Sequence, residues 1–172
     1  MEWVHGADLS LMGERDYAAQ IIQHLSGQIR VNPEDRRSYF LRGNAYLDQG
    51  AFALAIEDFT RAIELDPQDP VAYNNRGIAY RSLARTERAI KDYRQALVLD
   101  VHYRDAYNNL GLAFSDLSEF ETAVRHYDRA IELDPDYWYA FNNRGMALWA
   151  LGRRDEARAD YAQVKMLLER QA

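Results

Sequence analysis

Tyr73, Gly77 and Tyr80 form a stripe of large residue, glycine and large residue. The stripe returns at Tyr39, Gly43 and Tyr46, at Tyr107, Gly111 and Phe114, and at Phe141, Gly145 and Leu148, each copy 34 residues after the last. Positions i, i+4 and i+7 share one face of an α-helix, so each stripe predicts a helix whose glycine marks the closest approach of a neighbour. A second stripe follows each first one: Ala55, Phe59 and Ala62; Ala89, Tyr93 and Ala96; Ala123, Tyr127 and Ala130; and Ala157 with Tyr161, where Val164 replaces the third small residue. The alternation predicts antiparallel helix pairs in which alanine admits the first helix and the ring fills the gap. One pair leaves apolar surface uncovered, so the pairs must stack to complete a core.

Turn chemistry fixes the boundaries. Gly50 stops the first helix of one pair, and Asp69-Pro70 supplies an N-cap acid followed by proline at the first helical position. Ser118-Glu119-Phe120-Glu121 reads as a capping box. Arg-Ala-Ile-Glu-Leu-Asp-Pro occurs at 61–67 and again at 129–135, while Val101 takes the place of proline after the second pair. Upstream, Tyr17, Ile21, Ile22, Leu25 and Ile29 follow helical spacing up to Val31-Asn32-Pro33; Ala7, Leu9, Leu11 and Met12 are broken by Gly6 and Gly13. The expected division is a degenerate N-terminal pair over 1–35 and repeats over 36–69, 70–103, 104–137 and 138–172, with the last helix running on towards Arg170.

On these motifs the chain resembles the tetratricopeptide repeat family over about 36–168. The resemblance implies an all-α solenoid, a right-handed superhelix of antiparallel helix pairs, acting without catalysis as an adaptor for a protein or peptide partner. It also implies that the first helices line a concave groove holding an extended or helical segment. By register that face carries Arg37, Phe40, Asn44, Leu47 and Asp48, then Val71, Asn74, Ile78, Arg81 and Ser82, then Asp105, Asn108, Leu112, Ser115 and Asp116, then Tyr139, Asn142, Met146, Trp149 and Ala150. Aromatic and methionine side chains are common anchors for a partner. The same residues could instead pack between adjacent repeats. Asn75, Asn109 and Asn143 occupy the place of the asparagine ladder by which some family members grip a peptide backbone, an amide offering both donor and acceptor. Leu41 interrupts that ladder, and bridging between helices is the other reading of the amides. The clamp with which chaperone-binding relatives hold a C-terminal carboxylate is incomplete. Phe40 replaces its first lysine, and Asp105 and Asn109 its later basic pair.

Composition narrows the classes. The net charge of −6 and pI near 5.2 disfavour nucleic acid and anionic lipid as partners. Without cysteine there is no disulfide, thiolate nucleophile or thiolate metal site. Met1–Gly6 carries no basic leader, and no run approaches the roughly 18 apolar residues of a membrane span, which predicts a cytoplasmic protein without membrane insertion. His5, His24, His102 and His126 have no metal-ligand spacing, and no catalytic residue, metal or cofactor is expected. His24 and His126 share their register with Asp58, Asp92 and Asp160, a row that reads as a solvated face; Arg85, Arg88 and Lys91, interrupted by Glu87, read likewise. Val164, Met166, Leu167 and Leu168 point in several directions around the last helix. They supply the alternative function, a self-assembling scaffold with a homo-oligomer contact through the C-terminal helix or convex surface.

Overall fold

The computed structural model describes residues 14–171, with side chains from 18 to 170. Among them are nine α-helices and no strand: α1 (Glu14–Val31), α2 (Arg36–Asp48), α3 (Phe52–Leu65), α4 (Pro70–Ser82), α5 (Thr86–Leu99), α6 (Arg104–Asp116), α7 (Phe120–Leu133), α8 (Trp138–Ala150) and α9 (Arg154–Gln171). The first part of the degenerate N-terminal pair expected over 1–35, with Ala7, Leu9, Leu11 and Met12, lies outside the described residues. No described helix is long and apolar enough to cross a membrane. The chain divides into two compact units after Pro67. In the first, α2 packs on both α1 and α3. In the second, α4/α5, α6/α7 and α8/α9 form pairs, α5 meets α6, α7 meets α8, and the first helices α4, α6 and α8 also lie side by side.

The glycines sit where the stripes demanded them. A Cβ on Gly77 would come within 2.5 Å of the Tyr93 ring, and Gly43, Gly111 and Gly145 face Phe59, Tyr127 and Tyr161 in the same way. Tyr93 and Tyr127 are fully buried there and join Leu110, Phe114, Val124 and Leu148 in one apolar cluster. Asp69 caps α4 as its position predicts, accepting from Val71 N at 2.9 Å and Ala72 N at 3.3 Å. The capping box at Ser118 does not form: Glu119 is the N-cap of α7 without a side-chain bond, and Ser118 stands before it at φ 61°. That is the left-handed position that closes the turn inside a pair, filled by Gly50, Ala84, Ser118 and Gly152 in turn.

The row of Asp58, Asp92 and Asp160 is not the solvated face that its spacing implied, for all three are buried. Each takes a two-pronged ion pair from an arginine on the facing first helix. Arg42 Nε and Nη2 lie 2.7 Å from Asp58, Arg76 2.7 and 2.8 Å from Asp92, and Arg144 2.9 and 2.6 Å from Asp160. The Arg76 guanidinium also lies 5.6 Å from the Tyr73 ring centre and 5.9 Å from that of Tyr80. In α6 and α7 both partners change together. Leu110 replaces the arginine, and His126 replaces the aspartate, its imidazole stacking on Phe114 at 5.3 Å and near Tyr107 at 6.4 Å. A flat ring from the second helix thus fills the aromatic slot that a flat guanidinium fills elsewhere, and no charge is left unpaired in the core.

Candidate peptide-binding face

The face nominated by register separates into engaged and open side chains. In the first unit Phe40 sets its ring edge-on to Phe59, with centroids 5.9 Å apart, and Asn44 and Leu47 are half-buried on α2. Phe40 is therefore a packing residue between α2 and α3 as well as a surface one. In the second unit Ile78 and Leu112 are half-buried against the apolar cluster. The most exposed apolar groups of this face lie on α8: Tyr139, Met146 at 61% exposure and Trp149 at 49%, with Val71 of α4 less open. Tyr139 stacks on Trp138 at 3.7 Å and Arg154 covers Trp149 at 5.5 Å, so both rings are held in place while presenting a free face.

The paired asparagines divide the work. Asn74 and Asn108 are only 3% and 5% exposed. Asn109 Nδ2 donates to Asn74 Oδ1 at 2.8 Å across α4 and α6, and Asn143 Nδ2 donates to Asn108 Oδ1 at 2.9 Å across α6 and α8. Asn74 Nδ2 donates in turn to Asn75 Oδ1 at 3.2 Å. The first amide of a pair is thus a bridge inside the array. The second is oriented by that bridge, and among the described residues nothing donates to the Oδ1 of Asn109 or Asn143. Asn142 stands outside the chain of amides, half-buried, with Nδ2 3.9 Å from Met146 Sδ.

Beside Met146 and Asn143 a cavity of about 390 Å³ opens between α6 and α8, walled by Leu112, Phe120, Ala147 and Ala150 and by Arg81, Ser115, Asp116 and Tyr127. Ser115 Oγ and the Tyr127 hydroxyl lie 3.2 Å apart. Burial pushes the Tyr127 hydroxyl up to about 12, so it stays protonated. Arg81 reaches from α4 to α6, its Nε and Nη2 2.6 and 3.1 Å from the Asp116 carboxylate. Register places both Arg81 and Asp116 on this face, a basic and an acidic residue 35 apart; their pairing across α4 and α6 is what the sequence reading missed.

Family and structural comparisons agree with this architecture. Profiles of the tetratricopeptide repeat match residues 70–103, 105–137 and 139–165, and a TPR repeat profile matches 43–83. The crystal structure of MamA is 27% identical, with a TM-score of 0.79 over 87% of this chain and 88% of that one. The first TPR of Spaghetti (RPAP3), bound to the HSP90 peptide SRMEEVD, is 32% identical over 68% of this chain and 93% of that one, with a TM-score of 0.66. YrrB, described as a TPR protein with an unusual peptide-binding site, shares the fold at 16% identity, with a TM-score of 0.71 over 92% and 81% of the two chains. No curated protein matches by sequence. The period, the helix pairs and these matches converge: the chain belongs to the tetratricopeptide repeat family.

Proposed function

We propose that the chain is a non-catalytic adaptor that holds a peptide segment of a partner protein on the α4–α6–α8 face of its second unit. The observation that carries this reading is the juxtaposition on α8 of exposed Met146 and Trp149 with a cavity of about 390 Å³, whose wall includes Asn143. Asn109 and Asn143 accept peptide N–H groups, the cavity takes a side chain, and Trp149 and Tyr139 cover flanking residues. The Spaghetti repeat domain, a similar structure, is bound to a peptide. An acidic chain end like that one is not the ligand class proposed here, because Asp105 and Asn109 stand where a carboxylate clamp needs basic groups. A cytoplasmic setting belongs to the same proposal.

The test is selection of short random peptides on the immobilised protein, followed by calorimetry with a Met146→Ser, Trp149→Ala variant. Loss of about 2 kcal/mol of binding, near thirtyfold in affinity, is expected with helicity unchanged by circular dichroism. Equal affinity in the variant overturns the reading.

A second reading, self-assembly through α9, is favoured by Tyr161: this ring is 36% exposed, whereas its equivalents Tyr93 and Tyr127 are covered by the following pair. Met166 and Leu168 are exposed on the same helix, while Leu167 is buried. A Met166→Glu, Leu168→Glu variant should then lower the mass seen by light scattering. A wild-type protein that is already monomeric removes this reading.

A further inference from the structure

We propose that the Arg81–Asp116 ion pair sets the specificity of the α6–α8 cavity, making it select an uncharged apolar side chain that adjoins a peptide N–H. The inference rests on the reading of the second unit as a peptide-binding face and names what that face takes. The cavity exists because of a local sequence change. Across α4 and α6 the two facing positions are Arg81 and Asp116, which fill the seam with a long bidentate pair; 34 residues on, across α6 and α8, they are Ser115 and Ala150, which are short and carry no charge. The missing volume is what an incoming side chain replaces.

The polar groups of the wall are largely satisfied already. Arg81 and Asp116 hold each other, Ser115 and Tyr127 share a hydrogen bond, and Asn143 Nδ2 is engaged by Asn108. What remains is mostly apolar surface from Leu112, Phe120, Met146, Ala147 and Ala150, with Asn143 Oδ1 accepting from no described residue and some hydrogen-bonding capacity left on the paired Ser115 and Tyr127 hydroxyls. That set fits an aliphatic or aromatic side chain with its own backbone N–H on the carbonyl. A carboxylate entering the cavity meets Asp116 and must pull Arg81 away from it; an ammonium meets the converse. Mutual neutralisation therefore rejects both signs. The pair is about one-third exposed, with side chains at 32% and 38%, so it adds little to folding and its removal leaves the protein intact.

The experiment is selection from one display library of short random peptides on three proteins: wild type, Arg81→Ala, and Arg81→Ala with Asp116→Ala, each first checked by circular dichroism. Wild type should enrich leucine-, methionine- or phenylalanine-centred peptides. Arg81→Ala, which bares Asp116, should enrich lysine and arginine at the same place, with affinity for a lysine-for-leucine peptide rising at least about tenfold relative to wild type. The double variant, neutral again, should return to apolar anchors. Enriched peptides with the same anchor on all three proteins overturn this specificity role and leave the binding face standing. Failure of every protein, wild type included, to enrich any peptide overturns the binding face and this inference with it.

Discussion

Asn143 donates its amide N–H to the Oδ1 of buried Asn108, 2.9 Å away across α6 and α8, and its own carbonyl accepts from no described residue. One side chain thereby joins two helices and presents an acceptor. Adjacent asparagines should behave differently on mutation. Asn108→Ala should lower stability to urea by about 1–2 kcal/mol, because the half-buried Asn143 amide N–H loses its acceptor. Asn142→Ala, outside the bridge, should stay within about 0.5 kcal/mol of wild type.

The buried Arg76–Asp92 pair is a liability if only one member is removed. Asp92→Ala should cost about 3–5 kcal/mol by removing the carboxylate that balances a largely buried guanidinium. The chain itself carries the repair, since Leu110 and His126 occupy the equivalent places. Arg76→Leu with Asp92→His should recover most of that loss in the same urea titration, and a double variant no better than Asp92→Ala contradicts the slot-filling account.

Burial of His126 predicts a pH dependence of the fold with a definite sign. Burial against Phe114, with Arg94 and Arg125 nearby, lowers its pKa below the ordinary value of 6.5. The unfolded chain therefore takes up the proton first as pH falls, so stability contributed by neutral His126 is complete above 6.5 and is lost between 6.5 and the lowered folded value. Wild type should lose more of its urea midpoint between pH 7.5 and pH 5 than His126→Phe, which keeps the stack without the titration. Identical pH profiles would show that His126 does not titrate differently on folding.

Ala84 and Ser118 hold the left-handed turn position at φ 55° and 61°, where the other pairs use glycine. Ala84→Gly and Ser118→Gly should each raise stability by about 0.5–1 kcal/mol, since relief of backbone strain exceeds the added entropy of the unfolded chain. Thermal melting reads this directly.

The period and the large–glycine–large stripes were enough to locate the helices, because a missing Cβ has one physical purpose on a buried helix face: Gly77 admits the Tyr93 ring. Polar positions were harder to read. Asp92 looked solvated because a 34-residue period states which residues are equivalent but not what faces them; the constant spacing of 16 from Arg42, Arg76 and Arg144 was the available signal. Asn74 and Asn75 differ by one residue, about 100° of helix turn, and only the neighbouring helix decides which of the two faces inward. Ser118 fitted a capping pattern by sequence, yet the left-handed turn before α7 uses that residue to reverse the chain. The cavity arises from two short residues, Ser115 and Ala150, on different helices, a relation visible only once α6 and α8 lie together.

The central claim is that the α4–α6–α8 face is the binding surface. The most direct measurement is a nuclear magnetic resonance titration of isotope-labelled protein with a peptide selected on it, following the Asn side-chain amides, the Met146 methyl and the Trp149 indole. The account predicts saturable shifts at Asn109, Asn143, Met146 and Trp149, with Asn74 and Asn108 little changed. Shifts confined to α9, at Tyr161, Met166 and Leu168, would contradict it and move the binding surface to the C-terminal helix.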